Sequence, residues 1–211
     1  MKTILFQGDS ITDCARGTGI GLGMGYPLLV TAALGCKNPN KYDFINRGIG
    51  GNRIVDLYAR IKKDILNLRP DYMSILIGVN DAWHDIVWAN GVDCEKFEKI
   101  YSMLIEEIKA ELPNIKIMIL EPFCLKGHNT DDTDEIPNKW EMFKSEVEKR
   151  AKAAKNIAEK YNLKFVPLQH KFDEVVKFAE EKYWLGDGVH PTPMGHELIK
   201  NEWLKAFDDI K

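Results

Sequence analysis

The amino-terminal segment of the chain reads TILFQGDSIT from Thr3 to Thr12. Its first four residues are β-branched, aliphatic or aromatic, which predicts a short buried strand. Gly8 then permits a sharp turn, and the polar residues after it are of the kinds that begin helices. Ser10 is therefore expected at the carboxyl end of a strand, where open α/β sheets place their ligands. On this segment alone, an ordinary N-cap role for Ser10 is the simpler interpretation.

The same pattern of apolar strand, turn and helix recurs along the chain. Strands are predicted at residues 3–6, 42–46, 72–77, 115–120 and 164–168. Helices are predicted at residues 26–34, 53–65, 95–112, 139–161, 172–181 and 194–207. Short apolar strands that alternate with helices are typical of a parallel sheet covered on both faces. We therefore predict one three-layer α/β/α domain over residues 1–211, with a five-stranded parallel sheet.

Composition excludes several classes of protein. The chain has 211 residues, 45% of them hydrophobic and 29% charged, with a formal net charge of −3, as is usual for a soluble globular protein. No basic stripe is present, which argues against nucleic acid as the partner. No apolar run approaches the roughly 20 residues of a membrane span, and no signal-peptide pattern is visible. We therefore expect a cytoplasmic protein that does not bind membranes.

Two features resemble cofactor or metal sites but lack the residues that such sites require. The glycine-rich segment 17–25 never completes the dinucleotide pattern G-x-G-x-x-G, and the chain contains no phosphate-binding loop of the form G-x-x-x-x-G-K-[ST]. We interpret this segment as a flexible loop that forms a rim or lid beside Ser10. The four cysteines have no metal-ligand spacing, so reduced thiols are expected. The prediction is that the protein uses neither a metal nor an organic cofactor.

The polar residues of interest follow the predicted strands. Ser10 follows the first strand, Gly50-Gly51 the second and Asn80 the third. Because these turns share one edge of a parallel sheet, the residues are expected to converge there. Asp187 and His190 lie three residues apart in a turn before the last helix, where one side chain can orient the other.

This set of residue types matches the needs of acyl transfer. That reaction requires a nucleophile, a general base, a group that fixes the tautomer of the base, and donors for the developing oxyanion. Ser10 can be the nucleophile, His190 the base and Asp187 the orienting carboxylate. The backbone N–H of Ser10, that of a glycine after the second strand and the Asn80 amide can supply the three donors.

The residues lie in four sequence blocks that resemble those of the SGNH hydrolases, also called the GDSL esterase/lipase family. The blocks are Gly8-Asp9-Ser10-Ile11-Thr12, Asn46-Arg47-Gly48-Ile49-Gly50-Gly51-Asn52, Gly78-Val79-Asn80-Asp81 and Asp187-Gly188-Val189-His190-Pro191. The resemblance implies a flavodoxin-like fold and a catalytic triad of Ser10, Asp187 and His190. It implies an oxyanion hole of Ser10, Gly51 and Asn80, with Gly51 selected by the N-x-x-x-x-G spacing from Asn46.

A narrower resemblance concerns the substrate. Two features, the stretch from Gly78 to Trp83 and the absence of a signal peptide, resemble intracellular carbohydrate acetylesterases of the acetyl xylan esterase type. Some of those enzymes form large homo-oligomers. This resemblance implies a serine esterase that removes short acyl groups, most simply acetyl, from a sugar or oligosaccharide, and it implies self-association. Two alternatives stay open: a lipid or thioester hydrolase with the same triad, and a noncatalytic carbohydrate-binding protein on this fold.

Several neighbouring residues have a structural and a functional interpretation. Trp83 and Trp184 adjoin Asn80 and the Asp187 turn, so we predict that they form walls of a small acyl pocket, although tryptophan is more often a core residue. Asp81 is expected to cap the helix after the third strand. His196, on the last predicted helix, is expected to be a packed or capping histidine rather than a second base.

Overall fold

A computed structural model describes all residues, 1–211, and contains one five-stranded parallel sheet. The strands are β1 (Lys2–Gly8), β2 (Tyr42–Asn46), β3 (Tyr72–Leu76), β4 (Lys116–Leu120) and β5 (Lys164–Val166). Their order in the sheet is β2-β1-β3-β4-β5, and every neighbouring pair is parallel. This is the flavodoxin-like arrangement, so the predicted fold class is confirmed.

Ten helices surround the sheet. They are α1 (Ser10–Asp13), α2 (Tyr26–Lys37), α3 (Ile54–Ala59), α4 (Ile61–Asp64), α5 (Val79–Trp88), α6 (Cys94–Glu111), α7 (Lys139–Lys160), α8 (Gln169–Val175), α9 (Glu181–Trp184) and α10 (Pro193–Asp208), with a 3₁₀ turn at Leu66–Leu68. None of them combines the length and the apolar character that crossing a bilayer demands. The helix predicted at 172–181 was wrong in its bounds, because α8 ends at Val175 and a separate short helix starts at Glu181.

The three layers follow from the alternation of side chains along the strands. In β1, Ile4 and Phe6 face one apolar cluster, whereas Leu5 between them faces the other. The first cluster is completed mainly by α2 and α10, and the second by α3, α6 and α7. A strand buried on both faces is a nearly continuous apolar run, as the amino-terminal segment is.

The helix predicted over residues 53–65 is interrupted at Arg60, which separates α3 from α4. The Arg60 guanidinium turns inward and donates to the Gln7 side chain at 2.8 Å, to the Arg47 carbonyl at 2.8 Å and to the Gly8 carbonyl at 3.1 Å. These bonds join the carboxyl ends of β1 and β2 to the helical layer. The interruption therefore stabilises the sheet edge from which the polar loops emerge.

That edge is closely packed where β1 turns into α1. A Cβ atom added to Gly8 would lie 2.4 Å from the Leu76 carbonyl oxygen and 2.4 Å from the Thr12 hydroxyl, so only glycine fits there. Because β1 and β3 are neighbours at the point where the strand order reverses, the turns after them open on a shared crevice. Ser10 and Asn80 lie directly after those two turns, in the first turn of α1 and of α5.

Candidate active site

The structure brings Ser10, His190 and Asp187 into one hydrogen-bonded chain. The Ser10 hydroxyl lies 2.8 Å from His190 Nε2, and His190 Nδ1 lies 2.7 Å from Asp187 Oδ2. Ser10 opens α1, whereas Asp187 and His190 lie in the loop between α9 and α10. Residues 180 positions apart in the sequence thus meet at the predicted edge of the sheet.

The N-cap of α1 is Asp9 and not Ser10. The Asp9 side chain accepts a hydrogen bond from the Ile11 N–H at 3.0 Å, which satisfies one of the free donors of the helical turn. Ser10 occupies the first helical position, where its hydroxyl is not needed for capping. The simpler interpretation of Ser10 as a cap is therefore wrong, and its hydroxyl faces the imidazole instead.

Hydrogen bonds determine which nitrogen of His190 faces Ser10. Asp187 Oδ1 accepts the backbone N–H groups of Val189 and His190 at 2.9 and 2.7 Å, which leaves Oδ2 to accept a proton from His190 Nδ1. The lone pair of Nε2 then points at the Ser10 hydroxyl, as a general base requires. The Asp187 hydrogen bond raises the pKa of His190 against the opposing effect of burial. Burial would raise the pKa of Asp187, but these hydrogen bonds outweigh it and hold that pKa below its usual range.

Three hydrogen-bond donors are available for an oxyanion beside Ser10. Gly50 donates its N–H to the Asp13 carboxylate at 3.1 Å, whereas the N–H groups of Gly51 and Ser10 have no acceptor within the protein. Gly51 has φ +77°, a conformation that glycine adopts without strain. The buried Asn80 amide donates one hydrogen to the Asn52 carbonyl at 3.1 Å, and its second hydrogen stays free. The pairing of Gly50 supports the choice of Gly51 as the oxyanion donor.

The two tryptophans occupy different surroundings. The Trp83 ring lies 5.9 Å from the His190 ring and packs edge-on against Phe143 at 6.0 Å, measured between ring centroids. Trp184 instead packs against Tyr183 at 4.9 Å, and its indole N–H donates to the Ala179 carbonyl. Trp83 therefore borders the site directly, whereas the role of Trp184 as a pocket wall stays a prediction.

Asp81 caps a helix, but not the predicted one. Its carboxylate accepts the N–H of Ile54 at 3.0 and 3.3 Å, so it caps the start of α3 instead of its own helix α5. This bond fixes the loop that carries Gly51 against the helix that carries Asn80. Burial raises the pKa of Asp81 to about 7.

His196 is a capping residue, as predicted. It is buried on α10, and its Nδ1 accepts the N–H of Tyr26 at the start of α2, at 3.1 Å. Burial lowers its pKa to about 4, so the ring is neutral at pH 7 and can accept that bond. Because Nδ1 accepts the Tyr26 N–H, the neutral ring carries its proton on Nε2. It therefore has no free lone pair with which to act as a second base.

Two residues of the site were missed from the sequence. Asn129 donates its side-chain amide to Asp187 Oδ2 at 2.7 Å from the polar loop between β4 and α7. Nothing in the sequence distinguishes it from other polar residues of that loop. Asp9 is only 1% exposed, and burial raises its pKa to about 7. The sequence signal for Asp9 was its place as a polar residue between a buried strand and the nucleophile.

Replacing Asp9 by asparagine is expected to stabilise the protein more at pH 8 than at pH 5. The folded protein holds a proton on Asp9 up to about pH 7, whereas an unfolded chain loses it near the ordinary value of 3.8. The contribution of Asp9 to stability is therefore full below that ordinary value and is lost as the pH rises through about 7. A shift of about three pH units corresponds to at most about 4 kcal/mol in the free energy of unfolding.

Urea unfolding of Asp9→Asn and of wild type at both pH values measures this effect. The exposed Asp43→Asn variant is the control for the loss of one negative charge. An Asp9→Asn variant that is equally destabilised at pH 5 and pH 8 would contradict the prediction.

Comparison with known proteins agrees with the geometry. Residues 6–198 match the model of the GDSL-like lipase/acylhydrolase family. An acetylxylan esterase from Geobacillus stearothermophilus is 32% identical over 218 residues, covering 98% of this chain and 94% of the relative. The crystal structure of Axe2, an acetylxylan esterase from the same organism, superposes with a TM-score of 0.84 at 31% identity, covering 97% of this chain and 93% of that one. A structure from Parabacteroides merdae, described as GDSL-like lipase, has a TM-score of 0.88 at 38% identity, covering 98% and 95% of the two chains.

Proposed function

This chain belongs to the GDSL-like lipase/acylhydrolase family and is a carboxylic ester hydrolase; within that class, we propose that it is a serine esterase that removes short acyl groups, most simply acetyl, from a carbohydrate. The observation that carries the mechanism is the chain of hydrogen bonds from Ser10 through His190 to Asp187. The acetylxylan esterase relative supports the carbohydrate substrate.

The proposed reaction has two halves that use the same groups. In the first, His190 Nε2 takes the proton of Ser10 as the hydroxyl attacks the ester carbonyl, and Asp187 stabilises the resulting imidazolium. The negative oxygen of the tetrahedral intermediate is bound by the Ser10 and Gly51 N–H groups and the Asn80 amide. His190 then protonates the leaving alcohol. In the second half, His190 activates a water that attacks the acyl-Ser10 ester and releases the acid.

A panel of substrates tests the proposed specificity. Acetate release from acetylated xylo-oligosaccharides and other acetylated sugars is expected to exceed hydrolysis of octanoyl esters and acyl thioesters. Faster turnover of the octanoyl or thioester substrates would favour a lipid or thioester hydrolase. Failure of a fluorophosphonate to label the protein, with no turnover of any ester, would favour a noncatalytic carbohydrate-binding protein.

Shrinking Trp83 to alanine is expected to widen the tolerance for acyl chains. The ring borders His190, and its removal opens space beside the reacting acyl group. We expect the ratio of kcat/KM on butyryl to acetyl p-nitrophenyl esters to rise about 10-fold, in line with the roughly 1–3 kcal/mol by which a hydrophobic pocket distinguishes one methylene.

The exposed Trp88→Ala variant on the same helix is the matched control and should keep the wild-type ratio. An unchanged ratio in Trp83→Ala would show that Trp83 does not limit the acyl group.

Two further properties, a cytoplasmic location and self-association into a homo-oligomer, stay predictions. Light scattering coupled to size-exclusion chromatography measures the second, and a mass of 24.1 kDa, that of one chain, would contradict it.

A further inference from the structure

We propose that Asn129 is a positioning residue that holds the Asp187 carboxylate and thereby sets the orientation of the His190 base; this inference rests on the proposed serine mechanism. Asn129 lies in the loop between β4 and α7, outside all four of the sequence blocks that carry the family resemblance.

The Asp187 carboxylate is saturated with donors. Oδ1 accepts the N–H groups of Val189 and His190, and Oδ2 accepts both His190 Nδ1 and Asn129 Nδ2, each at 2.7 Å. The backbone bonds hold one oxygen only. The Asn129 amide is the one donor besides the imidazole that holds the other oxygen, so together with the backbone bonds it restrains the rotation of the carboxylate about its terminal bond.

The Asn129 amide is itself held in place by the backbone. The Asn129 N–H donates to the Asp187 carbonyl at 2.8 Å, and the Leu125 N–H donates to the Gly188 carbonyl at 2.9 Å. Within the loop, the buried Thr130 hydroxyl donates to the Leu125 carbonyl at 2.8 Å. The loop after β4 is thus joined to the loop of the triad by two main-chain bonds, which place the amide before substrate arrives.

An amide is suited to this position because it donates without carrying charge. A cation there would neutralise Asp187 and lower the pKa of His190, whereas a neutral donor leaves the carboxylate able to stabilise the imidazolium. Without the amide, the Asp187 carboxylate is less firmly held in line with His190 Nδ1. The hydrogen bond that raises the pKa of His190 would then weaken, and that pKa would fall. The other charged or titratable groups that act on His190 are Asp9 beside Ser10 and His196 on α10, and the Asn129 side chain is hydrogen-bonded to neither of them.

Steady-state kinetics on p-nitrophenyl acetate across the pH range test the proposal. We expect Asn129→Ala to lower kcat by about 10- to 100-fold with little change in KM, because a misoriented base slows chemistry more than binding. The acid limb of the kcat/KM profile should move to lower pH, since a weaker bond to Asp187 lowers the pKa of His190 in the free enzyme. Asn129→Asp, which places a second carboxylate against Asp187, should lose more activity than Asn129→Ala at pH 8.

Thr130→Val is the matched control. It removes a hydrogen bond of the same loop without touching Asp187, so it should lower the melting temperature and leave the acid limb unmoved. If Asn129→Ala loses activity only in step with its stability and keeps the wild-type acid limb, Asn129 is structural and the proposal is overturned.

The outcome separates this inference from the proposed function. Wild-type kinetics in Asn129→Ala, alongside an inactive Ser10→Ala, would reject the positioning role and keep the serine mechanism. Full activity in Ser10→Ala would reject the serine mechanism itself.

Discussion

Replacing Ser10 by alanine is expected to lower the rate of p-nitrophenyl acetate hydrolysis by at least about 10⁴-fold while the fold is retained. The Ser10 hydroxyl is the group that His190 Nε2 faces at 2.8 Å, so its removal leaves the base without a nucleophile to activate. The helix cap is supplied by Asp9, and loss of the hydroxyl therefore costs no cap. Initial rates and a thermal melt of the same preparation measure both parts of this prediction.

Covalent labelling gives an independent measurement on the same variant. A fluorophosphonate should label wild type and the exposed control Ser145→Ala equally, and should leave Ser10→Ala unlabelled. Full residual activity in Ser10→Ala, or labelling that persists there, would refute a serine mechanism at this position.

Replacing Asp187 by asparagine is expected to lower kcat by about 10⁴-fold, although the two side chains have the same shape. The amide oxygen takes the place of Oδ1, since that position accepts two backbone N–H groups. The amide nitrogen must then face His190 Nδ1 and the Asn129 side chain. Asn129 can flip its amide to accept, and Nδ1 must accept as well, which puts the imidazole proton on Nε2. In that tautomer His190 has no lone pair for the Ser10 hydroxyl.

The pH profile distinguishes this effect from a general loss of charge. Asp187 raises the pKa of His190, so in Asp187→Asn any residual activity should have its acid limb at lower pH. The exposed Asp208→Asn variant, which also loses one negative charge, should behave as wild type. A kcat within about 10-fold of wild type in Asp187→Asn would mean that another group fixes the tautomer.

The strands were predictable because their signal is local. An apolar run bounded by turn residues is independent of what the strand pairs with, and each predicted strand differs from the observed one by at most two residues at either end. Helix bounds were less predictable where distant groups decide them. Arg60 interrupts a helix that its apolar spacing extends to Ile65, because its guanidinium binds carbonyls at the ends of β1 and β2.

The residues of the site were likewise predictable where the signal is local. The order of the four sequence blocks and the strand ends on which three of them lie sufficed to predict Ser10, Asp187 and His190, which the structure brings within hydrogen-bonding distance. The choice of Gly51 over Gly50 rested on spacing alone. The structure adds a physical reason, because the N–H of Gly50 is already bound by the Asp13 carboxylate.

The sequence by itself determined the α/β architecture, the edge of the sheet that carries the polar loops, and the residue types for acyl transfer, because apolar periodicity and motif spacing are properties of short segments. Only the tertiary structure decided that Asp9 and not Ser10 caps α1, that Asp81 caps a helix 27 residues away, and that Asn129 reaches Asp187 across 58 residues. A side chain in a turn has several partners within reach, and the packing of distant loops selects one of them.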